Sequence, residues 1–390
     1  MKIYLIAGEA SGDRLGAALM AGLRQIRSDL QFHGVAGPLM QAEGMTSLFP
    51  MEELSIMGLA EILPKYFDLK RRIRETASDV VHVAPDVLIT IDSPDFCLRV
   101  AKLVKAKCPI RTVHYVAPSV WAWRPGRAAK MARVIDHVLA LLPFEPPYME
   151  RAGMACDFVG HPVTTEPLAT PAERAAFRAS LGLPSAHDPA APLILALPGS
   201  RRGEVTRLAP IFGAALRPVL AQKPAAQVVI PTTRNVTDLV QNLTQDWPVT
   251  PLILDPRQSE LAAYLAQKRA SFAAADVALA ASGTVSLELA ANATPMVIAY
   301  DMAWLSRQII PRMLKIDTVT LVNLVAESRT VPEFIGPASK PAPIGQALLD
   351  TLAHPEGQEA AMASTMARLG RGGLAPGLRA AQSVLDFLKI

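Results

Sequence analysis

Four short stretches of the 390-residue chain carry residues whose types and spacing could do chemistry. Asp92 and Asp95 bracket Ser93-Pro94 directly after an apolar run. A carboxylate at such a strand end, partly withdrawn from water, can act as general base on a substrate hydroxyl. Capping of the next helix is the simpler role, and Asp95 suits it better than Asp92. Gly8–Asp13, reading GEASGD, holds two glycines and two carboxylates. It is not the G-x-G-x-x-G dinucleotide fingerprint, and its carboxylates would repel a pyrophosphate. Glu9, Ser11 and Asp13 would accept hydrogen bonds from sugar hydroxyls or amides, or Ser11 and Asp13 would cap the helix.

The other two stretches suit an anion. Pro198-Gly199-Ser200-Arg201-Arg202 follows a short apolar run and opens a helical pattern. A helix N-terminus offers unpaired N–H groups and partial positive charge, Gly199 lets a ligand approach the backbone, and the arginines add fixed charge. Ser282-Gly283-Thr284 makes a second such turn, with Glu288 one helical turn further on, where it could take a ribose diol. An ordinary strand-to-helix turn with capping hydroxyls accounts for either stretch taken alone; two in one half favour a phosphorylated ligand. No D-x-D, H-E-x-x-H or Cys/His cluster appears, so a metal-free site is expected, and arginines and helix N-termini must neutralise any diphosphate.

These motifs require a scaffold of buried strands. Ile3–Ala7, Gln31–Val35, Asp86–Ile91, Arg111–Val116 and Val134–Leu142 read as short strands alternating with amphipathic helices. After a proline-rich stretch the pattern restarts at Leu193–Leu197, Ala226–Ile230, Val249–Leu254, Val277–Ala280 and Pro295–Ala299. This predicts two α/β halves with parallel sheets covered on both faces. Ligands then sit beyond the carboxyl ends of the strands, and halves that face each other would line one cleft. The expected boundaries are a first domain over 1–165, a linker over 166–192, a second domain over 193–370 and a C-terminal helix over 371–390.

Composition narrows the classes. Hydrophobic residues are 51% and charged residues 19%, which excludes a disordered chain. Lys plus Arg is 39 against 35 Asp plus Glu, a net charge of +4 that argues against a general nucleic-acid binder. Mean hydropathy is +0.25, as an alanine-rich protein with a deep core would show. Cys97, Cys108 and Cys156 are odd in number and widely spaced, as reduced core thiols of a cytosolic protein would be. The opening MKIYLIAGEASGD reads as a first strand and not a signal peptide, and no window of about 18 residues is continuously apolar.

Two further stretches suit lipid or aromatic contact. In residues 51–74, Ile56, Met57, Leu59, Ile62 and Leu63 precede Lys65, Lys70, Arg71, Arg72 and Arg74. Apolar residues followed by cations suit a shallow membrane contact, and equally an amphipathic helix docked on its own domain. Ser119–Arg127 gathers Trp121 and Trp123 with Arg124 and Arg127, suited to stacking on a sugar or base, to an interfacial position, or to a core tryptophan pair. His114 and His161 sit at strand ends and read as structural, with His161 also a candidate ligand contact.

The ordered set GEASGD at 8–13, MEEL at 51–54 with Met57-Gly58, IDSPDF at 91–96, HYV at 114–116 through Trp123-Arg124, LPFE at 142–145, Gly160-His161, LPGSR at 197–201 and ASGT at 281–284 resembles the lipid-A-disaccharide synthase family, glycosyltransferase family 19. The resemblance runs from the first strand to about Asn323. It implies the GT-B fold of two Rossmann-like domains. It implies transfer of 2,3-diacylglucosamine from UDP to the 6-hydroxyl of 2,3-diacylglucosamine 1-phosphate (lipid X), inverting to a β-1,6 linkage without metal or other cofactor. It also implies a peripheral position at the cytoplasmic face of the inner membrane of Gram-negative bacteria. Carried over by position, Asp92 is the base and Arg201 balances the UDP phosphates. Ser200, Ser282, Gly283, Thr284 and Glu288 complete the nucleotide pocket with Asn323 nearby, and Glu9, Ser11 and Asp13 face a sugar. Two arginines follow Gly199-Ser200 where a typical member has one, which leaves Arg202 as a second candidate. The 51–74 stretch becomes the acyl-chain surface. A homodimer is compatible with the sequence. A nucleotide-sugar 2-epimerase of the same architecture and a non-catalytic nucleotide-sugar sensor are the alternatives.

Overall fold

The computed structural model describes residues 1–54, 59–124, 126–185, 187–302 and 316–389, with side chains throughout except at 59–66. Ile56 and Met57 lie outside the described residues, as do the side chains of Leu59, Ile62 and Leu63. The chain divides into two compact units, Met1–Thr165 with Leu369–Ile390, and Glu166–Arg368.

The first unit holds β1 (Lys2–Ala7), β2 (Gln31–Val35), β3 (Val87–Ile91), β4 (Arg111–Tyr115), β5 (His137–Ala140) and β6 (Ala155–Phe158) in one parallel sheet, order β2-β1-β3-β4-β5-β6. Strands β3 and β5 are buried at every residue, and β1 and β4 at all but the first. A strand covered on both faces must be apolar throughout, hence the continuous runs of Ile, Leu and Val. The chain steps from β1 to β2 on one side, then returns to place β3 on the other. The order therefore reverses between β1 and β3. At that point the connecting turns diverge and leave a crevice beyond the carboxyl ends. The register pairs Ala7 with Ile91, which sets the Gly8 and Asp92 turns side by side.

The second unit repeats the device with β7 (Leu193–Leu197), β8 (Gln227–Pro231), β9 (Leu252–Leu254), β10 (Val277–Ala281), β11 (Met296–Tyr300) and β12 (Glu333–Ile335), order β12-β11-β10-β7-β8-β9, all parallel. Here the reversal lies between β7 and β10. Leu197 pairs with Ala280, so the Gly199 and Gly283 turns emerge together.

Two attachments were not visible as contacts in the sequence. Residues 166–192 lie in the second unit, where helix Pro171–Ser180 delivers Arg178 into the interior at 0% exposure. Its guanidinium donates to Asp276 Oδ2 at 3.0 Å and to the Ala274 and Pro184 carbonyls at 2.8 and 2.6 Å. Asp276 also accepts from the Leu193 amide at 2.7 Å, so one carboxylate fixes both this segment and the start of β7. Removing either partner would strand a buried charge, at a cost of about 3–5 kcal/mol. Helix Pro376–Leu388 packs in the first unit against helix Ala10–Ile26. The two backbones touch at glycines: a Cβ on Gly22 would lie 2.5 Å from the Gly377 carbonyl oxygen, and one on Gly377 2.4 Å from that of Ala18.

Candidate active site

At the first switch point the backbone is strained. Asp92 and Ser93 stand at φ 50° and 43°, consecutive left-handed positions filled by non-glycine residues. Val116, just past the neighbouring β4, stands at φ 86°, which a β-branched side chain rarely adopts. Such positions cost about 1–3 kcal/mol each and persist where the surroundings over-determine them. The Asp92 amide is held by the Tyr115 carbonyl at 3.0 Å. Gly8 presses on the same turn: a Cβ there would meet Ser93 Oγ at 2.4 Å and Ser93 Cβ at 2.8 Å. The glycine of GEASGD therefore makes room for the Asp92–Ser93 turn. Asp92 is left partly buried at the strand end and Asp95 exposed on the following helix Pro94–Lys105.

Glu9 and Ser11 are exposed at the start of helix Ala10–Ile26. Asp13 is elsewhere engaged. It is 2% exposed, and its two oxygens accept from the Leu39 and Met40 amides at 2.9 and 3.0 Å. Where a sugar contact is expected, Asp13 instead satisfies the amides that open helix Pro38–Ala42. His114 is also internal, its Nδ1 2.7 Å from Thr90 Oγ1. Its pKa is pushed down to about 4 by burial. His161 accepts from the Val163 amide through Nδ1 at 3.2 Å, and burial likewise lowers it to about 4. Both rings are neutral at pH 7.

The Trp-rich loop divides by depth. Trp121 is buried, edge-on to Phe144 at 5.1 Å, and its indole N–H donates to Glu145 Oε1 at 3.2 Å. Glu145 Oε2 accepts from the Leu142 amide at 3.0 Å, and burial pushes its pKa up to about 7 against those two bonds. Trp123 is only partly buried, with the Arg124 and Arg127 guanidiniums 4.3 and 5.3 Å from its ring centre. In the 51–74 stretch Arg72 is drawn onto its own unit, bonded to Glu53 at 2.7 Å and Glu75 at 2.8 Å and stacked on Phe49 at 4.3 Å. Phe67, by contrast, is 78% exposed.

The second switch point opens into a cavity of about 680 Å³, within the range of small-molecule sites. Gly199, Ser200, Arg201, Ser282, Gly283, Thr284 and Glu288 all line it. Gly199 stands at φ 113° and Gly283 at φ 154°, which no other residue adopts without strain. Arg201 is 78% exposed at the mouth, and Arg202 begins helix Arg202–Gln222. One element was not anticipated. The Ser200 and Arg201 amides both donate to Glu204 Oε2 at 3.3 Å, so a carboxylate of the chain occupies the N–H groups expected to face an anion. Glu288 accepts from Lys268 Nζ at 2.7 Å. Lys268, on helix Leu261–Ala274, and Thr232, Thr233 and Arg234, past the end of β8, also line the wall. The last three lie at a strand end beside β7, a signal the sequence did carry; Lys268 sits mid-helix and had none.

Asn323 is not part of this wall. It is 1% exposed, donating to the Val331 carbonyl at 2.9 Å and to Glu333 Oε1 at 2.8 Å while accepting from the Val331 amide at 3.1 Å. From helix Leu321–Ala326 its amide is thus engaged with Val331, before β12, and with Glu333 at the start of β12. Among the described residues no three His, Cys, Asp or Glu side chains converge as metal ligands, and no helix is long and apolar enough to cross a membrane. The three cysteines are free.

Residues 3–374 match the family model for lipid-A-disaccharide synthetase. The chain belongs to the lipid-A-disaccharide synthase family. It is 66% identical over 388 residues to the lipid-A-disaccharide synthase of Ruegeria pomeroyi, covering 100% of this chain and 96% of that one. It is 44% identical to the enzyme of Rhodospirillum centenum, over 99% and 94% of the two chains. Lipid-A-disaccharide synthases are glycosyltransferases of lipid A biosynthesis, and the two doubly wound units are the GT-B class expected for them. Solved structures share that fold at low identity. A UDP-N-acetylglucosamine 2-epimerase from Neisseria meningitidis, bound to UDP-GlcNAc, aligns over 100% of both chains with a TM-score of 0.61 at 13% identity. A putative UDP-N-acetylglucosamine 2-epimerase from Listeria monocytogenes gives 0.61 at 12%, over 100% of this chain and 95% of that one.

Proposed function

We propose that the chain transfers 2,3-diacylglucosamine from its UDP donor to the 6-hydroxyl of 2,3-diacylglucosamine 1-phosphate, with inversion at the donor C1. The observation that carries the reading is the chemistry at the two switch points. A strained aspartate stands at one, and a glycine-lined cavity with an arginine at its mouth opens at the other. Asp92 takes the proton of the 6-hydroxyl as that oxygen attacks C1. The C1–oxygen bond to UDP breaks in the same displacement, and its electron pair leaves on the β-phosphate. A single carboxylate suffices because inversion needs no covalent intermediate.

UDP occupies the second-unit cavity. Its diphosphate meets the Gly199–Arg201 and Ser282–Thr284 turns, where charge-assisted hydrogen bonds contribute about 1.5–3 kcal/mol each. Glu204 must then yield the Ser200 and Arg201 amides to the phosphate oxygens, and Glu288, steadied by Lys268, takes the ribose diol. Glu9 and Ser11 remain the sugar contacts of the first unit, and residues 51–74 with exposed Phe67 meet the acyl chains at the cytoplasmic face of the inner membrane. The test mixes purified protein with UDP-2,3-diacylglucosamine and lipid X in detergent micelles. UDP and disaccharide appear in equal amounts if the reading holds. UDP without disaccharide, or conversion of the donor without acceptor as an epimerase would give, overturns it.

A further inference from the structure

The mechanism leaves one built feature without a task. Trp123 carries two guanidiniums, those of Arg124 and Arg127 at 4.3 and 5.3 Å from its ring centre, and neither arginine forms an ion pair among the described residues. Two cations on one ring repel each other, and stacking offsets this only in part. A guanidinium lying on an aromatic face keeps its N–H edge outward, which suits two-point contact with a phosphate. The loop is also held in place: Trp121 two residues earlier is pinned by Glu145 and Phe144, and Arg124 stands at φ 50°. It leaves the sheet from β4, the strand whose Tyr115 carbonyl holds the Asp92 amide, so it rises from the same sheet end as the proposed base.

We propose that Arg124 and Arg127, stacked on Trp123, receive the phosphomonoester of the acceptor and so select phosphorylated over unphosphorylated acceptor. This rests on the transfer reaction given under Proposed function. A phosphomonoester carries close to two negative charges and three acceptor oxygens at neutral pH. That matches two guanidiniums with no ion pair among the described residues better than a neutral sugar or a base does. The contact lies on the acceptor and not on the donor, whose phosphates have the glycine turns of the other unit.

The experiment compares lipid X with 2,3-diacylglucosamine lacking the phosphate, as acceptors in neutral detergent micelles, for the native chain and the Arg124→Gln/Arg127→Gln double variant. UDP affinity of the variant reports that it is folded. The native chain prefers lipid X in kcat/KM. In the variant that preference falls at least about tenfold, through a higher KM for lipid X with kcat held, as loss of one or more charge-assisted hydrogen bonds predicts. An unchanged preference in the variant overturns the proposal, as does a native chain that does not distinguish the two acceptors. A variant that keeps its preference in micelles but loses binding to vesicles containing phosphatidylglycerol also overturns it, and reassigns the patch to lipid headgroups. No disaccharide from the native chain with either acceptor fails the transfer reading itself, an outcome separate from the others.

Discussion

At the first unit's switch point the left-handed backbone positions are filled by Asp92 and Ser93; at the second unit's they are filled by Gly199 and Gly283. The two sheets reverse their strand order in the same way and present their turns in equivalent places. What differs is what the turn has to expose. A phosphate is held by backbone N–H groups, and a side chain at Gly199 would stand in the way. Proton removal requires a side chain, and in the proposed transfer the first unit projects Asp92 at a strain of about 1–3 kcal/mol per left-handed residue. Under the proposed transfer, glycine on one side and a strained carboxylate on the other divide binding from chemistry.

Asp92→Asn separates the two most sharply. Turnover should fall about 10²–10⁴-fold while UDP affinity stays near native; a variant of native rate would remove the chemical role from this turn. Gly199→Ala is the mirror experiment. The new Cβ meets Glu204 Cβ at 2.7 Å and is strained at φ 113°, so calorimetry should show UDP binding weakened roughly 10–100-fold. Equal affinity would mean that the phosphate is held elsewhere.

Gly8→Ala tests whether the strained turn depends on its neighbour. Ser93 must shift from a Cβ 2.4 Å from its hydroxyl, and overpacking of this kind costs about 1–3 kcal/mol. We expect kcat to drop about tenfold with UDP binding unaffected; restoration of rate by a second change, Ser93→Gly, would localise the cause. Arg201→Ala should weaken UDP binding by a smaller factor, about three- to tenfold, because the side chain is exposed and screened.

A separate effect is on stability and leaves UDP binding aside. Burial raises the Glu145 carboxyl to about 7 in the folded chain, above its unfolded value near 4.5. The folded state therefore binds more protons between those values. Stability falls as pH rises through the window, by at most about 1.4 kcal/mol per pH unit, and levels off above it. Glu145→Gln should flatten this slope in denaturant melts; an unchanged slope would place its origin in another group.

Much of this contrast is legible in the sequence, since buried strands and glycine turns are local signals. The apolar runs before Gly8, Asp92, Pro198 and Ser282 each become a strand, and the motifs fall at the two places where strand order reverses. What escaped is set by distance along the chain. Asp13 looks like a ligand residue until Leu39 and Met40, 26 and 27 residues on, claim its oxygens. Asn323 is likewise consumed by Val331 and Glu333. Strands β6 and β12 have four and three residues with no apolar run, so tertiary pairing and not local preference makes them strands. The positive φ of Asp92, Ser93 and Val116 leaves no compositional trace at all.

The close crossing of Gly22 with Gly377 has a consequence for biosynthesis. Helix Ala10–Ile26 leaves the ribosome early, but the helix that covers it is made only after residues 166–368. At bacterial elongation rates of up to about 20 residues per second, that interval is on the order of ten seconds or more. The first unit spends it with an uncovered apolar face while the second can already close. A nascent chain stalled before residue 376 would thus hold a finished second unit and an unfinished first one, the form most in need of a chaperone.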